Sequence, residues 1–222
     1  HDPAVFIEDT LALREHLVLS IREDGLLRLR IVPWDGGAPA TVAADDPSSS
    51  MFIGPNREQN TTTLRYVYTS LTTPSSDMEV DLRSGERTVR KRAFAGEGFD
   101  PARYTSEYLH VTARDGAVVP VSLVRCVDTA QDGTAPLLQY AYGSYGISTD
   151  PTFRASWLSL LDRGFVVAIA HVRGGQELGR HWYEAGRRTH KVNTFTDFID
   201  VTRALVADRH CAPDRVFAQG GS

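Results

Sequence analysis

The sequence predicts two joined parts. The first is an all-β part to about residue 92. The second, residues 93–222, is the N-terminal half of an α/β-hydrolase sheet. Three observations carry this. Short alternating apolar runs flank Asp-Gly and Ser-Gly turns in the first part. Strand and helix patterns alternate from about Tyr104, which implies a parallel sheet with right-handed crossovers. The last strand pattern runs into Gly220-Gly221-Ser222, the first half of a G-x-S-x-G nucleophile elbow.

In chain order, HLVLSIRE and GLLRLRIVPW flank Asp24-Gly25 and read as a hairpin. Leu17, Leu19 and Ile21 alternate with Val18, Ser20 and Arg22. TLRYVYTSL places Leu64, Tyr66 and Tyr68 on one face, and MEVDLRSGERTVRKRAF turns at Ser84-Gly85. Strands this short fit either a sandwich or blades of a β-propeller, and no clean internal repeat decides between them. EYLHVTARDG and AVVPVSLVRC then pair around Asp115-Gly116. PLLQYAYG is a buried strand, FRASWLSLLDRG a helix, and FVVAIAHV the most apolar strand. A helix is expected over Thr194–Asp208, with Phe195, Phe198, Ile199, Thr202, Leu205 and Val206 at helical spacing and Asn193 or Thr194 capping it. RVFAQ is the last strand.

Composition narrows the function. A formal net charge of −4 argues against a nucleic-acid partner. No apolar run reaches the roughly 18 residues that cross a membrane. Cys126 and Cys211 have neither disulfide-framework nor metal-ligand spacing, which fits a reducing, cytoplasmic setting. With His1 at its start and half an elbow at its end, the chain reads as an internal piece of something longer. Half a motif is also what a flexible Gly-Gly-Ser linker would show.

Longer segments are more specific. YGSYGISTDPTF, LSLLDRGFVVAIAHVRGGQELGRHWYEAG and NTFTDFIDVTRAL resemble the prolyl oligopeptidase family of serine peptidases, and within it the trypsin-like branch. LRYVYTSLTTPSS and TARDGAVVPVSLV fit the same branch, so the resemblance covers nearly the whole chain. It implies that residues 1–92 are the C-terminal blades of a β-propeller, and that 93–222 open the catalytic domain. It implies a serine endopeptidase cutting short peptides after Lys or Arg through an acyl-enzyme, with no metal or cofactor. Its partners would be short basic peptides and the remainder of the same polypeptide.

By resemblance, Ser222 is the nucleophile, and Tyr142 donates its hydroxyl to the oxyanion beside the N–H that follows Ser222. The alternative for Tyr142 is a core aromatic with a satisfied hydroxyl. Tyr145 is expected to pack. Asp150 would help hold a basic substrate side chain next to the cleaved residue, or be only a turn former before Pro151. Where the family often has a second acid, this sequence has Thr152, which questions a dibasic preference. Since the triad runs Ser, Asp, His along the chain, its Asp and His fall beyond Ser222, and none of the seven histidines is the base. The 222 residues alone are therefore expected to be inactive. In AHVRGGQELG, Arg173 and Glu177 are expected to form a salt bridge, and Gln176 stands where many relatives have a third glycine. His181 and Trp182 are read as packing or domain-contact residues and Asp162 as a helix-end or turn acid. Two other readings stay open: a prolyl- or acylaminoacyl-type peptidase, and a non-catalytic propeller–hydrolase scaffold that binds peptides.

Overall fold

The computed structural model describes residues 5–221, so Ser222 lies outside the described residues. The first part contains two four-stranded antiparallel sheets, each a sequential meander. One is built from β1 (Val5–Ala12), β2 (His16–Glu23), β3 (Leu26–Pro33) and β4 (Ala40–Thr41). The other is built from β5 (Ser49–Ile53), β6 (Thr63–Ser70), β7 (Ser76–Asp81) and β8 (Arg87–Arg92). These are propeller blades packed face to face. Val18, Leu29 and Ile31 meet Met51, Leu64, Tyr66, Tyr68 and Val80 in one core. The Asp24-Gly25 hairpin forms as expected, with both residues at positive φ (50° and 81°), the geometry that fits the strand twist. Leu64, Tyr66 and Tyr68 share the buried face. In β2, however, the buried companions of Val18 are Ser20 and Arg22, while Leu17 and Leu19 are only half buried.

The second part is a five-stranded sheet in the order β13-β11-β12-β10-β9. Its strands are β9 (Tyr104–Thr112), β10 (Val118–Cys126), β11 (Leu137–Tyr140), β12 (Val166–Ala170) and β13 (Val216–Gln219). β9 and β10 form the expected hairpin. β12 pairs antiparallel with β10, while β11 pairs parallel with both β12 and β13. This is the opening half of the α/β-hydrolase sheet. The chain steps one way from β11 to β12 and back past β11 to β13. Right-handed crossovers in opposite directions must put their helices on opposite faces. Accordingly α1 (Ala155–Leu161) covers Val124, Val167 and Ile169, and α3 (Val192–Ala207) covers Val121, Leu123, Val166 and Ala168. α2 (Arg180–Glu184) lies in the connection between β12 and α3 and buries Trp182 in the α3 face. All five residues of β12 are buried, each large one contributing roughly 1.5–3 kcal/mol over exposure.

Helix α3 departs from the reading of its periodicity. Its buried stripe is Thr194, Asp197, Asp200, Val201 and Leu205, whereas Phe195 and Ile199 are exposed. Charged partners on the sheet side draw the two aspartates inward. The helix begins at Val192, and neither Asn193 nor Thr194 caps it. Asn193 donates to the Ala185 carbonyl and Thr194 to the Arg173 carbonyl. These side chains tie the helix to neighbouring loops instead.

Cys126 and Cys211 are both free. No helix of the structure is long and apolar enough to cross a membrane. Among the described residues no cluster of His, Cys, Asp or Glu has the make-up of a metal site.

Candidate active site

The carboxyl ends of parallel strands are where ligands bind in such sheets, because the loops leaving them part to opposite faces. Here the register of β11 with β13, from Leu137 opposite Val216 to Tyr140 opposite Gln219, decides what meets there. Ala141 and Tyr142 emerge beside Gly220 and Gly221. A Cβ at Gly220 would stand 3.3 Å from the Ala141 carbonyl. Two clefts share Tyr142 and Gly221 as walls. One, of about 420 Å³, is completed by Ser144, Val172, Phe195 and Phe198. The other, of about 340 Å³, is completed by Ile147, Thr149, Asp150, Thr152 and Arg154. Two of the residues expected to act together, Tyr142 and Asp150, therefore line one cavity at the strand end that leads to residue 222. Phe195, exposed on α3, walls the other.

The backbone after Tyr142 is tightly fixed. Gly143, Tyr145 and Gly146 all have positive φ (65°, 57° and 67°). A side chain at Gly143 would collide with Thr194 Cγ2 at 2.5 Å and Val172 Cγ2 at 2.7 Å, so only glycine fits. Lys191 Nζ reaches over from the start of α3, donating to the Gly143 carbonyl and to Ser144 Oγ at 2.7 Å. Burial lowers its pKa. Gly146 N–H donates to the Gly174 carbonyl, linking this loop to the segment after β12. Tyr145 points outward, 78% exposed, and does not pack as expected.

That second segment is anchored by Arg173, but not through Glu177. The Arg173 guanidinium binds Asp197 on α3, with Nε 2.9 Å from Oδ2 and Nη2 2.5 Å from Oδ1. Its Nη1 is 2.7 Å from Asp115 in the β9–β10 turn. The backbone N–H of Arg173 also donates to Asp197. Despite burial these bonds hold the guanidinium pKa well above its usual value. Glu177 instead accepts the Thr149 N–H at 2.8 Å, supporting the loop that carries Asp150. Burial pushes its carboxyl up to about 7. Trp182 packs beneath, its indole N–H donating to the His171 carbonyl. Asp162 ends α1 and accepts from the Tyr104 hydroxyl.

Ser122, His171 and Glu177 resemble a catalytic triad in composition. Ser122 Oγ lies 2.8 Å from His171 Nε2, but His171 Nδ1 is 4.0 Å from Glu177, beyond hydrogen-bond distance. All three are buried, and neither cleft reaches them. Burial, then the Arg22 charge, depresses His171 to about 3, so it is a neutral core residue. It is not a base for the cleft.

Asp150 lines the cleft and is also paired within the chain. Both of its carboxylate oxygens take the guanidinium of Arg22, from β2 of the blade, at 2.8 and 3.2 Å. Arg22 is 4% exposed, and its Nε also donates to Glu8 at 2.5 Å. Sequence reasoning missed Arg22, Lys191 and Asp197. The available signal for Arg22 and Asp197 was a charged residue within an apolar periodicity; Lys191, in the polar stretch before α3, offered none.

Comparisons with known proteins agree with this geometry. Residues 151–222 match the model of the prolyl oligopeptidase family, and residues 1–93 match that of the prolyl oligopeptidase N-terminal β-propeller domain. The chain is 47% identical to a dipeptidyl aminopeptidase BI of Pseudoxanthomonas mexicana, over 100% of this chain and 31% of that protein. It is 34% identical to protease 2 of Moraxella lacunata, over 98% of this chain and 31% of that protein. Oligopeptidase B of Trypanosoma brucei, solved in a closed form with covalently bound antipain, superposes with a TM-score of 0.88 at 36% identity. That match covers 99% of this chain and 32% of the trypanosomal one. The chain thus spans about a third of the length of these relatives.

Proposed function

The chain belongs to the prolyl oligopeptidase family, and from that membership we propose that it is the nucleophile-bearing part of a serine oligopeptidase that cleaves short peptides after Lys or Arg. The observation that carries this reading is the β11–β13 register, which leads Gly220-Gly221 past Tyr142 at the junction of two clefts.

In this reading Ser222 Oγ attacks the scissile carbonyl carbon while a histidine beyond residue 222 takes its proton. The carbonyl oxygen gains negative charge as the tetrahedral intermediate forms. The Tyr142 hydroxyl and the N–H after Ser222 donate to it. A preorganised donor of this kind is worth roughly 3 kcal/mol of barrier. Collapse expels the amine and leaves an acyl-Ser222 ester, which water hydrolyses. The Lys191 strap and the Gly143 turn hold Tyr142 in place before substrate arrives. Residues 1–92 and 93–222 act as propeller blades and catalytic domain in a cytoplasmic enzyme. The 222 residues alone, lacking base and triad acid, are inactive.

A second reading is favoured by the relative at 47% identity, which is named a dipeptidyl aminopeptidase: removal of dipeptides from free N-termini. Arylamide reporters separate the readings in the full-length protein. N-blocked Arg reporters are expected to be cut. Cleavage of Pro reporters alone, or of unblocked dipeptide reporters alone, would overturn the substrate assignment.

A further inference from the structure

We propose that Arg22 is a specificity-determining residue: it occupies the Asp150 carboxylate as an internal guanidinium, so the cleft beside Tyr142 does not select a basic side chain next to the cleaved residue. This rests on the peptidase reading above.

The geometry is a closed fork. Arg22 Nη1 and Nη2 bind the two oxygens of Asp150 at 2.8 and 3.2 Å, the side-by-side pairing by which a carboxylate recognises arginine. Nη1 also reaches the Gly25 carbonyl at 3.3 Å, and Nε is held by Glu8. Burial opposes the Arg22 charge, yet Asp150 and Glu8 outweigh it and raise its pKa. The side chain is therefore fixed on several sides and 4% exposed, whereas Asp150 is 17% exposed on the wall of the cleft. A substrate guanidinium entering there would find the side-by-side face of the carboxylate already taken and only single outer lone pairs left on its oxygens. Thr152, on the same wall, has no charge with which to replace them. Glu8, Arg22 and Asp150 together carry one negative charge, and Arg154 on the same wall offsets it, so the cleft has no surplus negative charge to draw a cation. What the cleft lacks is a carboxylate whose bidentate face is free to take a guanidinium.

The test measures kcat/KM of the full-length protein on Arg-Arg and Ala-Arg arylamides. In parallel, calorimetry measures binding of the corresponding uncleavable peptide amides, which needs no chemistry. The Arg/Ala ratio is expected to stay within about threefold, and Asp150→Asn should leave it unchanged. Arg22→Met frees the carboxylate and should raise the ratio at least tenfold, about 1.4 kcal/mol. The double variant Arg22→Met/Asp150→Asn should cancel that gain. A wild-type ratio above tenfold that collapses in Asp150→Asn would overturn the proposal, even if Arg22→Met fails to fold. Failure of the peptidase reading is recognised separately: no reporter is cut and Ser222 takes no fluorophosphonate, while the calorimetric ratios still decide whether Asp150 is occupied.

Discussion

Replacing Asp197 by alanine is expected to loosen α3 and the loops it holds. The Asp197 side chain is fully buried and accepts from Arg173 Nε, Nη2 and backbone N–H. Its loss strands a guanidinium that is 7% exposed and unable to reach bulk water without moving β12's exit loop. Breaking a buried pair costs about 3–5 kcal/mol. Asp115 remains bonded to Nη1, which places the expected loss near the lower end, about 3 kcal/mol. That is roughly a hundredfold in the local opening equilibrium. Hydrogen exchange of peptides covering Val192–Ala207, in the full-length protein, reads it directly. Arg65→Ala is the control: it breaks only the exposed pair with Glu79, worth about 0.2–1 kcal/mol, and leaves α3 exchange unchanged. An acceleration in Asp197→Ala below about fivefold would refute the claim that this pair anchors the segment.

Two other predictions follow from the same loops. Tyr142→Phe should lower kcat by about 10²–10³-fold with little change in KM, the loss seen on removing one oxyanion donor; a kcat within threefold of wild type would assign Tyr142 to packing. Stability against urea should vary with pH in a way that depends on Glu177. Native Glu177 titrates near 7 against 4.5 for its ordinary value, and native His171 near 3 against 6.5. Between pH 4.5 and 6.5 the unfolded chain holds a charged His and a charged Glu, while the native pair is neutral. The proton count is equal, and the pair contributes a plateau. Above 6.5 the native state alone keeps a proton, so stability falls as pH rises towards 7. Below 4.5 the unfolded state holds the extra proton, so stability falls as pH drops towards 3. Glu177→Gln should replace the plateau by a slope of up to about 1.4 kcal/mol per pH unit, with stability falling as pH drops below 6.5. An unchanged plateau in the variant would contradict the neutral pair.

The fold was legible where apolar period and turn residues agree. Asp24-Gly25, Asp115-Gly116 and Ser84-Gly85 mark hairpins that form, because each needs the positive φ that glycine supplies at its second position. The strand–helix alternation gives the sheet, and the resemblance carried by YGSYG and VRGGQELG gives the site's address. What sequence alone missed was long-range charge pairing. Arg173 was matched to the nearest acid in sequence, Glu177, whereas the structure gives it Asp197 and Asp115, 24 and 58 positions away. The same pairing shifts the buried face of α3: Leu205, Phe198 and Val206 pack on the core as expected, but a hydrophobic count cannot show that Asp197 has a buried cation waiting for it. For Asp150 the sequence leaves open a substrate contact or a turn former, and nothing local reveals its partner in β2, 128 positions earlier. Phe195 and Ile199, exposed on a helix read as apolar there, complete the lesson. A periodicity reports which residues share a face, not which face is inside.

The central claim is that the residue following Gly220-Gly221 is an activated nucleophile. A fluorophosphonate probe applied to the full-length protein, followed by peptide mapping, tests it most directly. The account predicts a single labelled site at Ser222, lost in Ser222→Ala and accompanied by loss of reporter cleavage. A folded, full-length protein that takes no label at Ser222, or that cleaves reporters equally well as Ser222→Ala, would contradict it.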